Sequence, residues 1–323
     1  MKEFGGFLPL ELNLNEEYYG YSDTDMVRLN SGRAAIIYAI KDGGFNKVYL
    51  PLYLCNSVAV ALGNAEINYE FYNIDINFLP TGINLKENEV LLWPNYYGVQ
   101  LQSKVDELVA RYKNLIIDNT QAFFSKPILS AYNIYSCRKF FGVSDGSYLI
   151  HHNLKKRNFA NTMSFERSLF LLKSIECGTN EAYSDNLINE MAIEKEPHGG
   201  MSLLTKSILR SIDYKDVINK RNQNFGMLDS ILRQCNLIQF NEYAQAPMVY
   251  PLLVKKSIRD KLIEKNIYVS QWWKRVLDSE LSNDFEKELS EYLIPLPIDQ
   301  RYSKSDMEEL GQIVMRVLEK DYS

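Results

Sequence analysis

Cysteine and histidine are scarce in this 323-residue sequence, with four of the first and three of the second. Cys55, Cys137, Cys177 and Cys235 are scattered without a Cys-x-x-Cys pair, and His151, His152 and His198 add no zinc-ligand spacing. Free thiols in a reducing compartment are the expectation, and no metal site is. Adjacent side chains on a strand point to opposite faces, so His151 and His152 would not converge on one ion, and His198 beside Gly199 and Gly200 reads as a loop residue. Long apolar runs are missing too. Stretches such as 58–62 and 169–172 fall far short of the roughly 20 residues that cross a bilayer. The opening MKEFGGFLPLEL has Glu3, a Gly pair and a Pro where a secretory signal needs a basic end and an unbroken apolar run, so a cytoplasmic protein without membrane contact is expected. Neither charge dominates: 36 Lys and Arg face 41 Asp and Glu, for a net −5, and neither sign forms a long block. That argues against a nucleic-acid partner and makes a small molecule the default one. With 46% hydrophobic residues the chain has too much to bury to remain disordered.

What is present is alternation. Up to about residue 150, short β-rich runs (VYLPLYL, INYEFYNI, EVLLWPNYYG, NLIIDNTQ, YNIYS, GSYLIH) are interleaved with helical patterns at NSGRAAIIYAIKDG, SVAVALGNA and 104–112. This predicts an α/β domain with a mainly parallel sheet covered on both faces. From residue 155 to about 197 the chain turns polar and helical and ends in the punctuation EPHGG. Beyond it, 201–235 reads as one long or two consecutive amphipathic helices. MVYPLLVKK and IYVSQWW then read as strands, IRDKLIEKN as a helix and SKSDMEELGQIVMRVLEK as a Ser-capped terminal helix. The expected division is a large domain over 1–205 and a smaller α+β domain over 206–323. Adjacent Trp272 and Trp273 on a strand would face opposite ways, one in the core and one towards a surface. The Tyr-rich NEEYYGYSD is expected to pack rather than to line a site.

Three segments carry chemistry. NSGRAA is a small-residue turn entering a helix, where backbone N–H groups and the helix terminus can hold a phosphate. NLIIDNTQAF is a buried strand delivering Asp118 to its carboxyl end, where ligands of open α/β sheets gather, with Gln121 in the following loop. YSCRKFFGVSDG presents Lys139 before two aromatics. A Lys with apolar neighbours has its ammonium form disfavoured, which exposes an amine able to form a Schiff base with an aldehyde. Ser136 lies three residues earlier and Arg138 can add charge. A phosphate turn, a strand-end Asp and a Lys 21 positions later are what pyridoxal 5′-phosphate requires, for its phosphate, its pyridine nitrogen and its aldehyde.

On these residues the sequence resembles the DegT/StrS family of pyridoxal-phosphate sugar aminotransferases, within the fold-type I aspartate aminotransferase superfamily, across nearly its whole length. NSGRAA resembles the family's Ser-Gly-Thr-Ala turn, VYLPLYLC its following strand and Pro turn, FYNID its Phe-x-Asp-x-Asp strand and NYYG its Tyr-Gly turn. IIDNTQA resembles its Asp-x-x-Gln segment, SCRK its Schiff-base Lys and SDG the Asp-Gly turn beyond. NKRNQNFGML, NIYVSQWW and YLIPLPIDQRYSKSDMEEL are similar to its Arg-containing helix, Gly-Ile-x-x strand and Leu-Pro segment.

The resemblance implies a seven-stranded-type sheet and a homodimer with sites at the interface. It implies catalysis by Lys139 with Asp118 on the pyridine nitrogen, Gln121 near the ring, and Ser136 with the amides of Gly32, Arg33 and Ala34 on the phosphate. Arg33 stands where the family has Thr. Cys55 falls where an aromatic stacks on the cofactor, unless Tyr53 takes that part. The Ser-to-Lys spacing is shorter than the family pattern, and the chain is short between about 155 and 202. The implied activity is transfer of an amino group from an amino acid such as glutamate to a keto-sugar, nucleotide-linked, in surface-polysaccharide or amino-sugar synthesis. The alternatives are a sugar dehydratase, against which Lys139 itself argues, and a non-catalytic homologue that binds a sugar or a protein.

Overall fold

A computed structural model describes residues 4–155, 159–160, 162–196 and 199–322. The first half alternates as its apolar periodicity requires: β1 (Met26–Leu29), α1 (Gly32–Gly43), β2 (Lys47–Pro51), α2 (Asn56–Asn64), β3 (Asn68–Tyr72), β4 (Glu89–Pro94), α3 (Gln102–Arg111), β5 (Leu115–Asp118), β6 (Tyr132–Ser136) and β7 (Ser147–Ile150). The strands form one seven-stranded sheet in the order β1-β7-β6-β5-β4-β2-β3. Strands β3, β2, β4, β5 and β6 pair in parallel, whereas β7 runs antiparallel to both β6 and β1. This is the mainly parallel α/β sheet the alternation predicts; β1 is the strand it did not reveal, lying in a stretch too short and polar to stand out.

The sheet is covered on both faces, and the pleat sorts its side chains. Val90, Leu92 and Ile116 pack with the apolar side of α1 and α2. Leu91, Trp93, Leu115 and Ile117 point the other way, into a core shared with Val105 and Leu108 of α3 and with the C-terminal elements. Strands buried on both faces read as continuous apolar runs, which is why the LIID segment of β5 is visible in sequence without alternation.

The second half adds α4 (Leu169–Cys177), α5 (Tyr183–Lys195), α6 (Leu203–Arg210), α7 (Tyr214–Leu232), β8 (Val249–Leu253), α8 (Arg259–Ile263), α9 (Asp284–Tyr292), β9 (Leu293–Pro297) and α10 (Lys304–Tyr322). β8 and β9 form a small antiparallel sheet, with α7 and α10 packed together. The stretch 201–235 is two helices, because Asp213 accepts from the amides of Lys215 and Asp216 and starts α7 anew. The strand expected at IYVSQWW is absent: the small sheet holds β8 and β9 alone, and the aromatics of this segment are drawn into a side-chain cluster instead. Both tryptophans therefore turn the same way. Trp272 stacks on Tyr97 at 5.7 Å, and Trp273 meets Tyr53 edge-on at 4.3 Å.

Tyr18 and Tyr19 pack on Phe123, as expected of the Tyr-rich segment. β7 stops before His151, whose ring stacks on Tyr132 at 3.9 Å, while His152 is exposed. His198 lies outside the described residues. Among the described residues no group of three His, Cys, Asp or Glu could hold a metal, and no helix is long and apolar enough to cross a membrane.

The Asp-Gly turn after Lys139 has a structural task. Asp145, fully buried, accepts from the Ser202 amide at 2.9 Å, from the Ser202 hydroxyl at 2.8 Å and from the Thr205 hydroxyl, while Ser202 caps α6. Asp145→Ala strands three buried donors and is expected to cost about 3 kcal/mol. Urea denaturation checks this, and a loss below about 1 kcal/mol would contradict the assignment.

Candidate active site

The parallel strands end on one side of the sheet, and their carboxyl ends bring the chemistry together. β5 delivers Asp118; β6 delivers Ser136 and, one turn on, Arg138 and Lys139; α1 begins beside them with Ser31 as its N-cap. A cleft of about 340 Å³ is lined by Ser31, Gly32, Arg33, Cys55, Asp118, Thr120, Gln121, Ser136, Arg138 and Lys139. Glu190 of α5 and Trp273 complete its rim.

Among the described residues, Lys139 is the only lysine in the lining. Its Nζ donates to the Thr120 hydroxyl at 3.1 Å. The side chain faces the open cleft, yet protein surrounds it on the remaining sides, and this desolvation pulls its pKa below the usual lysine value, with the Asp118 charge opposing and Arg138 assisting. Water in the cleft moderates the shift. Asp118 is buried and accepts from the Thr120 amide at 2.9 Å through Oδ1. The Asp-Asn-Thr turn thus ties the carboxylate and the amine together through one residue.

Gln121 is occupied with the chain itself: its Oε1 accepts from the Tyr97 amide at 2.8 Å. That turn needs the glycine of Asn-Tyr-Tyr-Gly. Gly98 has φ +73°, and a Cβ there would lie 2.4 Å from the Gln121 carbonyl oxygen.

The other end of the cleft is electropositive. Ser31 Oγ accepts from the Ala34 amide, so the first-turn amides left without an intrahelical partner near the cleft are those of Gly32 and Arg33. Arg33 approaches Glu194 at 3.9 Å through Nη1, and its Nη2 is buried with no acceptor among the described residues. Arg138 meets Glu190 through Nη2. Burial, with Arg33 and Arg167 nearby, pulls the Arg138 guanidinium down to about 10 against the pull of Asp145, so it remains a cation at neutral pH. A helix N-terminus, two guanidiniums, an orphaned N–H and the Ser136 hydroxyl fit a phosphate group.

Of the residues singled out in the sequence, Gly32, Arg33, Cys55, Asp118, Gln121, Ser136 and Lys139 line this cleft. Ala34 and Tyr53 do not: Ala34 is buried behind the turn, and Tyr53 lies in the core with its hydroxyl 2.9 Å from that of Tyr97. The aromatic ring at the cleft belongs to Trp273, held in the left-handed region at φ 56°. It comes from 155 residues beyond Asp118 and had no local signal. Thr120 and Glu190 were also missed. Thr120 was legible as the hydroxyl between Asp118 and Gln121, whereas Glu190 is one acidic residue among many on α5.

No protein-family profile and no curated sequence matches the chain. Solved structures do. Helicobacter pylori PseC, described as an aminotransferase involved in the biosynthesis of pseudoaminic acid, superposes with a TM-score of 0.59 at 13% identity, over 91% of this chain and 87% of that one. DesI, solved in the presence of its TDP-sugar product, gives 0.58 at 12% identity over 90% and 79%. Spr1654 from Streptococcus pneumoniae, in its PLP form, gives 0.61 at 14% identity over 91% and 87%. At such identities the likeness is one of fold: the chain, with its seven-stranded, mainly parallel sheet and small antiparallel sheet, shares its overall fold with these structures.

Proposed function

We propose that the protein is a pyridoxal-phosphate-dependent aminotransferase of the DegT/StrS type, acting on a nucleotide-linked keto-sugar with an amino acid such as glutamate as donor. The observation that carries this reading is the convergence, in one cleft, of the Lys139 amine, the Asp118 carboxylate and an anion site at the start of α1. The fold shared with sugar aminotransferases supports it.

When bound, pyridoxal 5′-phosphate supplies an aldehyde that condenses with amines and a protonated pyridine ring that withdraws electrons. Lys139 Nζ is the amine that would hold the aldehyde, and as a free amine it would carry the proton to and from the substrate carbon. Its lowered pKa keeps more of the amine free at neutral pH. Asp118 Oδ would hold a proton on the pyridine nitrogen, and the Thr120 amide fixes that carboxylate in place. Arg33, Arg138, Ser136 and the amides of Gly32 and Arg33 bind the phosphate, and Trp273 supplies an aromatic surface where Cys55 cannot. Gln121 acts indirectly, holding the Tyr97 turn.

The reading includes a large cofactor domain over 1–205, a small domain over 206–323, and a cytoplasmic homodimer. A second copy is supported by the apolar surface of α4 and α5, where Leu172, Ile175, Ile188 and Met191 are more than half exposed.

The first experiment is spectroscopic. Pyridoxal 5′-phosphate added to the protein should produce a visible absorbance band that borohydride bleaches. Asp118→Asn should retain the band but lower transamination by about a hundredfold or more. An Asp118→Asn enzyme with unchanged turnover would overturn the role of that carboxylate.

A further inference from the structure

A separate cavity, of about 260 Å³, opens between the loops that follow β3 and β4 and the chain before β8, and it shares no lining residue with the cofactor cleft. Much of its wall is apolar, with Phe78, Val99 and Phe240 buried and Leu101 and Ile238 half-buried. Gln100 is the unusual lining residue. It is 8% exposed, yet its side-chain amide makes no hydrogen bond among the described residues. A buried amide without partners costs free energy that a ligand can recover. The start of α3 is open as well. Its N-cap is Leu101, whose side chain cannot accept, so the amides of Gln102 and Ser103 lack an acceptor among the described residues. Lys104, on the same turn, donates from Nζ to the Asn77 carbonyl at 3.0 Å and forms no ion pair among the described residues. Burial pulls its pKa below the usual lysine value, with Asp75 and Glu107 opposing. The one carboxylate in the lining is that of the exposed Glu242.

We infer that this cavity binds a small carboxylate carried on an apolar body, its anionic end at the start of α3 beside Lys104 and Gln100 and its body against Phe78 and Phe240. Unpaired first-turn amides and an ammonium with spare N–H groups supply donors and positive potential together. A single cation in the lining, facing one carboxylate at the rim, suits a monoanion and not a phosphate dianion. The volume lies below the roughly 300 Å³ at which pockets for drug-sized molecules begin, so the body is short. Apolar walls reward burial of hydrocarbon, which a bare inorganic ion does not offer. None of these residues belongs to the cofactor cleft, so the site stands whether or not the aminotransferase reading does.

Calorimetric titration of the full-length protein with 3-phenylpropanoate, 4-methylpentanoate, their neutral amides and inorganic phosphate tests the site. The two acids should bind, and the amides and phosphate should bind at least about tenfold more weakly, because only the acids offer both a charge for Lys104 and a body for the walls. Lys104→Gln should weaken the acids by about tenfold without lowering the melting temperature. Gln100→Leu should also weaken them while holding or raising the melting temperature, since it removes a buried amide that has no partner. A Gln100 that served only to pack the loop would show the reverse, a lower melting temperature with acid affinity unchanged, and that result would overturn the proposal. So would acids that fail to bind at millimolar concentration, amides that bind as tightly as the acids, phosphate that binds more tightly than either, or acid affinity unchanged in Lys104→Gln. Binding lost in Lys139→Ala but kept in Lys104→Gln would belong to the cofactor cleft and would overturn it too.

Discussion

Lys139→Ala is expected to abolish the visible band and to lower transamination by at least about a thousandfold, because the proposed function makes the lysine both the attachment point and the proton carrier. Among the described residues, no other lysine lines the cleft to take its place. Lys139→Arg is the informative companion. It keeps a cation beside Asp118 and Thr120, so loss of the band in both variants assigns the effect to the amine rather than to the charge. A band that survives in Lys139→Ala would end the reading.

The pH dependence has a definite sign. The folded protein holds the Lys139 proton less tightly than the unfolded chain, whose lysine titrates near 10.5, so the unfolded state binds more protons between the two values. Wild type should therefore gain stability as pH rises through that interval, and Lys139→Ala should lack this gain. Capture of the aldehyde should likewise rise with pH and level off below 10.5.

The second large effect is structural. Phe123, two residues beyond Gln121, is fully buried and touches the rings of Tyr18, Phe140, Phe141 and Tyr214 at centroid distances between 4.8 and 6.5 Å. Its carbonyl also accepts from the Tyr19 hydroxyl. One ring thus joins the N-terminal segment, the start of α7 and the two aromatics that follow Lys139. Phe123→Ala opens a cavity among side chains that cannot collapse together, and should cost about 4 kcal/mol. Because Phe140 and Phe141 set the Lys139 loop, the surviving folded protein should also bind pyridoxal 5′-phosphate more weakly. Chemical denaturation and a cofactor titration measure the two consequences, and a stability loss under about 2 kcal/mol would show that the cluster repacks.

Local chemistry made much of this legible. Leu115, Ile116 and Ile117 announce a strand buried on both faces, and a strand of that kind must present Asp118 at its end. Asn30 to Arg33 announce a capped helix start, and Ser31 is the observed cap. The order of phosphate turn, Asp and Lys is a property of the chain alone. The IYVSQWW run shows the limit. Its β-branched and aromatic residues favour a strand, but Trp272 and Trp273 pack on Tyr97 and Tyr53, and that side-chain packing takes the place of a backbone ladder.

Sequence by itself therefore accounts for the parallel α/β sheet, for the carboxyl-end location of Asp118, and for the capped turn into α1, because each follows from periodicity or from residues close along the chain. Tertiary packing alone brings Trp273 to the cleft in place of Tyr53, sets Glu190 against Arg138, and gathers Gln100, Lys104 and Phe240 around a second cavity. Those contacts join segments tens to more than a hundred residues apart, and they depend on which side chains fill the space between sheet and helices, a quantity that no local pattern encodes.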